Sequence, residues 1–352
     1  HRDLHTVRHS FPTRRSSDLR LVIREENSGR EVARLKRAVR LSPGVNEIGF
    51  RLSISRPRLW WPWDRGEQNM YSFEVEVSVA GAVSDRVGGR FGLRSFRTDR
   101  EWNWYINGQR FFPRGTNVIH TQWLSEMDRK KYERDLRLVK ECNINFIRVH
   151  AHVERKELYD VADEMGILVW QDFPLQWSYH RGVVKRALPM MEEMITMLFN
   201  HPSITVWCCH NEPLWIWFKV GNRRLDDELF RVATSIDSSR PVHKASGKGD
   251  SHIYLGWYGG LFTNVRKRKD PFPTEFGSQA ISLGFKRWVE DAWPPKVKKW
   301  RYHDAQLSIL CTYLGSWRKY GSFEEFAEAS QLYQAELLKY YIEQFRIKKY
   351  NP

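Results

Sequence analysis

Beyond about residue 100 the chain alternates short apolar runs with amphipathic stretches of helical period, and that alternation restricts it to a βα architecture around parallel strands. The runs predicted as strands are Phe111–Asn117, Phe146–His150, Leu168–Asp172, Ile204–Cys209, Val242–Ser246, Ile253–Trp257 and a seventh that reaches Glu275. Helices are predicted across Asp128–Glu141 and Leu188–Phe199. A long one follows over Ser322–Lys348, where Ser322 and Glu325 have the spacing of a capping box. A closed barrel of this class has eight strands. Seven are counted, so the expected fold is a (β/α)8 TIM barrel truncated before strand 8.

Arg20 to about Asp99 reads differently. Leu21–Arg24, Asn46–Leu52 and Tyr71–Val79 alternate apolar and polar residues with no helical period, which predicts an antiparallel, immunoglobulin-like β-sandwich. Between them Arg58–Gln68 is rich in Trp and Pro and is not expected to be a regular strand. Asn107-Gly108 is a hairpin signal at the entry to the next domain. Residues 1–19 are set aside, because Phe11–Leu19 (FPTRRSSDL) reads like a sequencing adaptor translated in frame. The expected domains are therefore 20–99 for the sandwich and 100–352 for the barrel.

Two of the predicted strands lead into carboxylates. Ile204–Pro213 (ITVWCCHNEP) delivers Glu212, and Pro271–Gln279 (PFPTEFGSQ) delivers Glu275. Glutamates at the C-terminal ends of two barrel strands are how such a fold aims a general acid and a nucleophile at one sugar ring.

Composition narrows the partners. The 16 tryptophans offer faces on which sugar rings can pack, although core packing is the commoner use of Trp. A formal charge of +15, with runs at Arg266–Lys269 and Lys296–Arg301, allows an acidic partner. No nucleic-acid-binding motif accompanies the charge, so nucleic acid is not expected as a partner. There is no apolar run of about 18 residues, so no membrane span is expected. Four cysteines are too few for a disulfide scaffold, and neighbours Cys208 and Cys209 would face opposite sides of a strand. The sequence specifies neither a compartment nor an oligomeric state.

Several motifs together resemble glycoside hydrolase family 2, which includes β-galactosidases, β-glucuronidases and β-mannosidases. They are Leu59-Trp60-Trp61-Pro62 with Gly66-Glu67-Gln68, Gly92-Leu93-Arg94, Arg114-Gly115-Thr116-Asn117, and the two glutamate segments. Asn145–Val149, Asp163–Asp172, His201–Trp207, Gly249–His252 and Glu275-Phe276-Gly277 resemble the β-mannosidase branch. Two departures flank the sugar subsite: His150-Ala151-His152 after Arg148-Val149, and Cys209-His210 before Asn211.

The resemblance implies a retaining exo-β-glycosidase, β-mannosidase-like, that acts on a β-linked glycoside and needs no cofactor or metal. Glu212 would be the acid/base and Glu275 the nucleophile, with carboxyl groups about 5–5.5 Å apart. Asn211 would bind the 2-hydroxyl, and Arg148 would help keep Glu275 ionised. His150, Asp172, Trp177, His252, Tyr254 and Trp257 complete the candidate substrate-binding set. β-Galactosidase, β-glucuronidase and exo-β-glucosaminidase specificities stay open. From other classes, a metal-dependent barrel hydrolase could use His150, His152, His243 and His252, but it leaves both glutamates without a role. A non-catalytic carbohydrate-binding fragment is the remaining alternative.

Overall fold

A computed structural model describes residues 10–11, 15–121, 123–214, 224–289 and 291–348. The chain divides into two compact units, His1–Ala245 and Ser246–Pro352.

The first unit begins with a four-stranded antiparallel sheet. Its strands are β1 (Arg15–Glu25), β2 (Glu31–Leu41), β3 (Met70–Val79) and β4 (Ala82–Gly92), in the order β2-β1-β3-β4. Alternate residues supply its core: Leu19, Leu21 and Ile23 on β1, with Tyr71, Phe73, Val75 and Val77 on β3. Setting residues 1–19 apart from the fold is too broad. Ser17 and Leu19 pair with both neighbouring strands and are buried, because the alternation runs in phase through Leu21 and Ile23.

Asn46–Leu52, expected as a strand, joins no ladder among the described residues. Its alternation still sends Ile48, Phe50 and Leu52 onto the same core. Alternation reports which side chains are buried, and says nothing about whether a neighbouring backbone is there to pair.

A three-stranded antiparallel sheet follows: β5 (Phe96–Thr98), β6 (Trp104–Ile106) and β7 (Gln109–Phe111). Asn107 and Gly108 turn between β6 and β7 with φ of 49° and 80°, as the hairpin signal requires.

Five parallel strands then run in unbroken order, from β8 (Gly115–Val118) through β9 (Phe146–Val149), β10 (Leu168–Asp172) and β11 (Ile204–Cys208) to β12 (Val242–His243). Every residue of β9, β10 and β11 is buried, as expected for strands covered on both faces. Helices α1 (Arg129–Glu141), α2 (Lys156–Met165), α3 (Val184–Leu198) and α4 (Arg224–Ile236) alternate with them. Asp128 caps α1 by accepting from the Lys131 N–H at 2.9 Å. Strand β8 starts later than expected because Phe111 closes the preceding hairpin, and β12 stops after pairing with Trp207 and Cys208 alone.

Side chains tie the sandwich sheet's end to the parallel sheet within this unit. The Trp60 indole donates to the Asp163 carbonyl at 2.8 Å and Trp63 to the Ile144 carbonyl at 3.0 Å. Buried Arg94 donates to the carbonyls of Pro202 (2.5 Å) and Ile204. Gly166 ends α2 at φ 72°, and a Cβ there would lie 2.6 Å from the Trp63 nitrogen. Glycine is needed at this crossing both for its φ and for the space.

The second unit holds a parallel pair, β13 (Ser251–Ile253) and β14 (Pro273–Phe276), with His252 opposite Glu275. Helices α5 (Val297–Tyr302), α6 (Leu307–Leu314) and α7 (Phe323–Lys348) follow. Ser322 accepts from the Glu325 N–H at 3.1 Å, while Glu325 accepts from the Gly321 N–H at 2.7 Å. The predicted capping box is therefore formed, with its return bond one residue upstream. Trp257, Ile281, Trp300, Leu310 and Phe326 make one core cluster; Ile253, Val265, Leu337 and Tyr341 make another.

Candidate active site

In the first unit the C-terminal ends of β9, β10 and β11 converge on a buried polar network. Arg148, 1% exposed, donates through Nε to both Asp172 oxygens (3.2 and 3.0 Å), and its Nη2 lies 2.7 Å from Oδ2. The same Nη2 donates to Asn211 Oδ1 at 2.8 Å. Asn211 Nδ2 donates in turn to His150 Nε2 at 3.0 Å. Asp172 also accepts from the Trp170 indole at 2.8 Å and from the Ala151 N–H at 3.1 Å. An arginine charge sealed in the core is tolerable only because a carboxylate and an amide oxygen take up its donors.

Glu212 stands on the loop that continues β11. Asn211 pairs with the 175–177 segment: its N–H donates to the Leu175 carbonyl at 2.9 Å, and its carbonyl accepts from the Trp177 N–H at 3.0 Å. The Trp177 indole then donates to Glu212 Oε2 at 2.9 Å. Glu212, Trp177 and Ala151 all have positive φ (47°, 56° and 53°). For residues with a Cβ this is strained backbone, clustered on the loops after β9, β10 and β11.

Glu275 is held differently. It is an interior residue of β14, 7% exposed, and accepts from the Tyr254 hydroxyl at 2.6 Å. His252 Nε2 lies 3.4 Å from Glu275 Oε1 and 3.1 Å from Ser246 Oγ. Behind it, Asp250 accepts from Ser246 Oγ at 2.8 Å, from the Gly247 N–H at 2.7 Å, and from Thr274 Oγ1. Of the candidate walls, Trp177 is 56% exposed, whereas Trp257 is 4% exposed and packs into the core with Ile281 and Trp300.

Within the first unit, His150, His152 and His243 of the metal alternative are not gathered. β9 ends at Val149, so His150 and His152 do not share a strand face. His150 bonds Asn211, whereas His152 Nε2 bonds Glu154 Oε1 at 2.7 Å. His243 packs its ring against Trp102 and Trp170. Asp160, Asp163 and His201 do bring ligand atoms within 4.8 Å of one another. There Asp163 already accepts from His201 Nδ1 at 2.6 Å and the Ser203 N–H at 3.0 Å, a local lock. None of the four cysteines forms a disulfide among the described residues.

Sequence reasoning missed two buried assemblies. Glu154 accepts from His120 Nδ1 (2.8 Å), His152 Nε2 (2.7 Å) and the Tyr132 hydroxyl (2.6 Å). Burial alone would raise its pKa, but these donors outweigh it and hold the carboxyl well below the usual carboxylate range. The His152 ring is raised, with burial opposing and the bonds to Glu154 and the His150 carbonyl prevailing. His210 Nδ1 pairs with buried Asp226 at 2.8 Å. Their only sequence signal is a histidine at a strand end and an acid in the next helix.

Comparison with known proteins fits this geometry. Residues 99–351 match the family described as glycosyl hydrolases family 2, TIM barrel domain, and residues 7–94 match glycosyl hydrolases family 2. A mannosylglycoprotein endo-beta-mannosidase of Lilium longiflorum is 32% identical over 182 residues, 46% of this chain and 19% of that protein. A beta-glucuronidase of Bacteroides fragilis is 27% identical over 256 residues, 65% of this chain and 35% of that one. The crystal structure of a beta-D-mannosidase from Dictyoglomus thermophilum superposes with a TM-score of 0.84 at 26% identity, covering 96% of this chain and 46% of its own. The chain thus spans less than half the length of these relatives. With the barrel match covering most of its residues, the chain belongs to glycosyl hydrolases family 2.

Proposed function

We propose that the chain carries the catalytic residues of a retaining exo-β-glycosidase, with Glu275 as nucleophile and Glu212 as acid/base. The observation that carries this reading is that each glutamate lies within or follows a parallel strand and receives a neutral donor, the Tyr254 hydroxyl or the Trp177 indole. A neutral donor orients a carboxylate without cancelling its charge, as a nucleophile requires. In the first step Glu275 attacks the anomeric carbon while Glu212 protonates the departing oxygen. In the second, Glu212 takes a proton from water, which displaces the sugar from Glu275. That sequence requires the two carboxyl groups to flank one glycosidic bond.

Asn211 is fixed by Arg148 and His150, so its amide is preset for a sugar hydroxyl. Terminal β-mannosides are the proposed substrates, supported by the likeness to the Dictyoglomus beta-D-mannosidase. Aryl β-mannoside, β-glucuronide, β-galactoside and β-glucosaminide tested in parallel check this reading. Turnover of the mannoside, abolished in Glu275→Gln and strongly slowed in Glu212→Gln, is expected. Preference for another aryl glycoside moves the specificity and leaves the reaction. Turnover that survives both substitutions removes the reaction itself.

A further inference from the structure

The second unit carries an open groove of about 440 Å³ lined by Arg287, Trp288, Lys298, Lys299, Tyr302 and His303. None of these residues belongs to the proposed glycosidase chemistry. Lys298, Lys299 and Tyr302 fall on one face of α5, at helical spacings of three and four. Between them Trp300 is fully buried, with Phe285 against it at 5.3 Å. The groove's floor is therefore anchored in the core.

Two features of the lining are available to a ligand. Trp288 and Tyr302 are 69% and 86% exposed, a large apolar area left in water. The cations are also unanswered. Neighbouring Lys286 and Lys296 form ion pairs with Glu324 (2.6 Å) and Asp291 (2.5 Å). Arg287, Lys298 and Lys299 form none among the described residues, and no carboxylate lines the groove. Lys299 does add to the positive potential at nearby Asp291.

We propose that this groove binds a carboxylated glycan chain, with pyranose rings packed on Trp288 and Tyr302 and uronate carboxylates held by Arg287, Lys298 and Lys299. Aromatic faces suit the C–H faces of sugars, and the guanidinium fork matches a planar carboxylate. Single-stranded nucleic acid also combines stacking with positive charge, but it uses successive platforms. Here His303 separates the two rings, tilted 51° to Trp288 and 90° to Tyr302. That arrangement suits sugar rings that turn from one residue to the next.

The test is calorimetric titration of the whole chain with a hexameric oligogalacturonate, with neutral mannohexaose and an oligothymidylate as comparators. Oligogalacturonate should bind, and binding should weaken as salt rises. Trp288→Ala should weaken it about 10-fold, and so should Tyr302→Ala. The pair Lys298→Glu with Lys299→Glu should abolish it, while Glu212→Gln leaves it intact. All the groove substitutions are at exposed positions, and unchanged melting temperatures will verify the fold. Equal binding of mannohexaose, tighter binding of oligothymidylate, or indifference to the groove substitutions would each overturn the proposal.

Discussion

Glu212 and Glu275 are the same residue type with the same sequence signature, yet their settings differ. Glu275 sits in a parallel ladder opposite His252, and its position is set by strand register and a hydroxyl. Glu212 lies beyond its strand, on positive-φ backbone, beside an arginine–carboxylate–amide network that fixes Asn211 next to it. The difference suits the two proposed roles. A nucleophile must keep one oxygen aimed at one carbon, whereas an acid/base must serve a leaving group and then a water.

The comparison is tested first where the effect is largest. Glu275→Gln should lower kcat about 10³-fold or more on every glycoside. Glu212→Gln should lower kcat/KM as much for alkyl glycosides, and much less for those with acidic leaving groups, which need no proton in the first step. Steady-state kinetics across leaving groups separates the two. Equal losses in both variants on all substrates would erase the distinction in role.

Stability should then divide along the same line. Asp172→Ala leaves Arg148 buried without its carboxylate and should cost about 3–5 kcal/mol, read from urea unfolding. Tyr254→Phe removes one hydroxyl on the Glu275 side. It should cost about 1.5–3 kcal/mol of stability, the worth of a bond to a charged acceptor and less than Asp172→Ala, and should also lower kcat, because Glu275 loses the hydroxyl that orients it.

The Glu154 cluster adds a pH dependence to the first unit. A carboxyl depressed on folding adds stability that is present above its ordinary value, about 4.3, and is lost as pH falls through the lower folded value. His152, raised on folding, contributes fully below about 6.5 and loses that contribution as pH rises through its folded value. Glu154→Gln should therefore cost about 1–3 kcal/mol, with the widest gap from its parent between about pH 4.5 and 6.5. A gap independent of pH in unfolding curves would contradict this assignment. The smallest effect is expected for Trp177→Phe, whose indole bonds Glu212 at an exposed site: a few-fold in kcat, with stability unchanged.

How much of this was legible in the sequence follows from what each pattern reports. The fully buried strands Leu168–Asp172 and Ile204–Cys208 were readable because apolar runs between amphipathic helices have few other folds. The hairpin at Asn107-Gly108 was readable from turn chemistry, and the capping of α7 from Ser322 and Glu325. Asn46–Leu52 misled because alternation records burial rather than pairing. His150 and His152 misled because β9 ends at Val149 and the chain turns at Ala151, so their spacing in sequence no longer means a shared face. Glu154 with His120 and Tyr132 was invisible, since separate stretches of chain meet only in three dimensions. In the candidate site, strand position made the placement of Glu212 and Glu275 legible, but the partners that distinguish them were not.

The most direct test of the central claim is to trap the covalent intermediate. The protein is incubated with a 2-deoxy-2-fluoro β-mannosyl fluoride, digested, and the labelled residue located by mass spectrometry. One sugar per chain is expected, esterified to Glu275, with labelling slowed in Tyr254→Phe. A label on Glu212 or any other residue, or turnover with inversion and no trapped sugar, would contradict it.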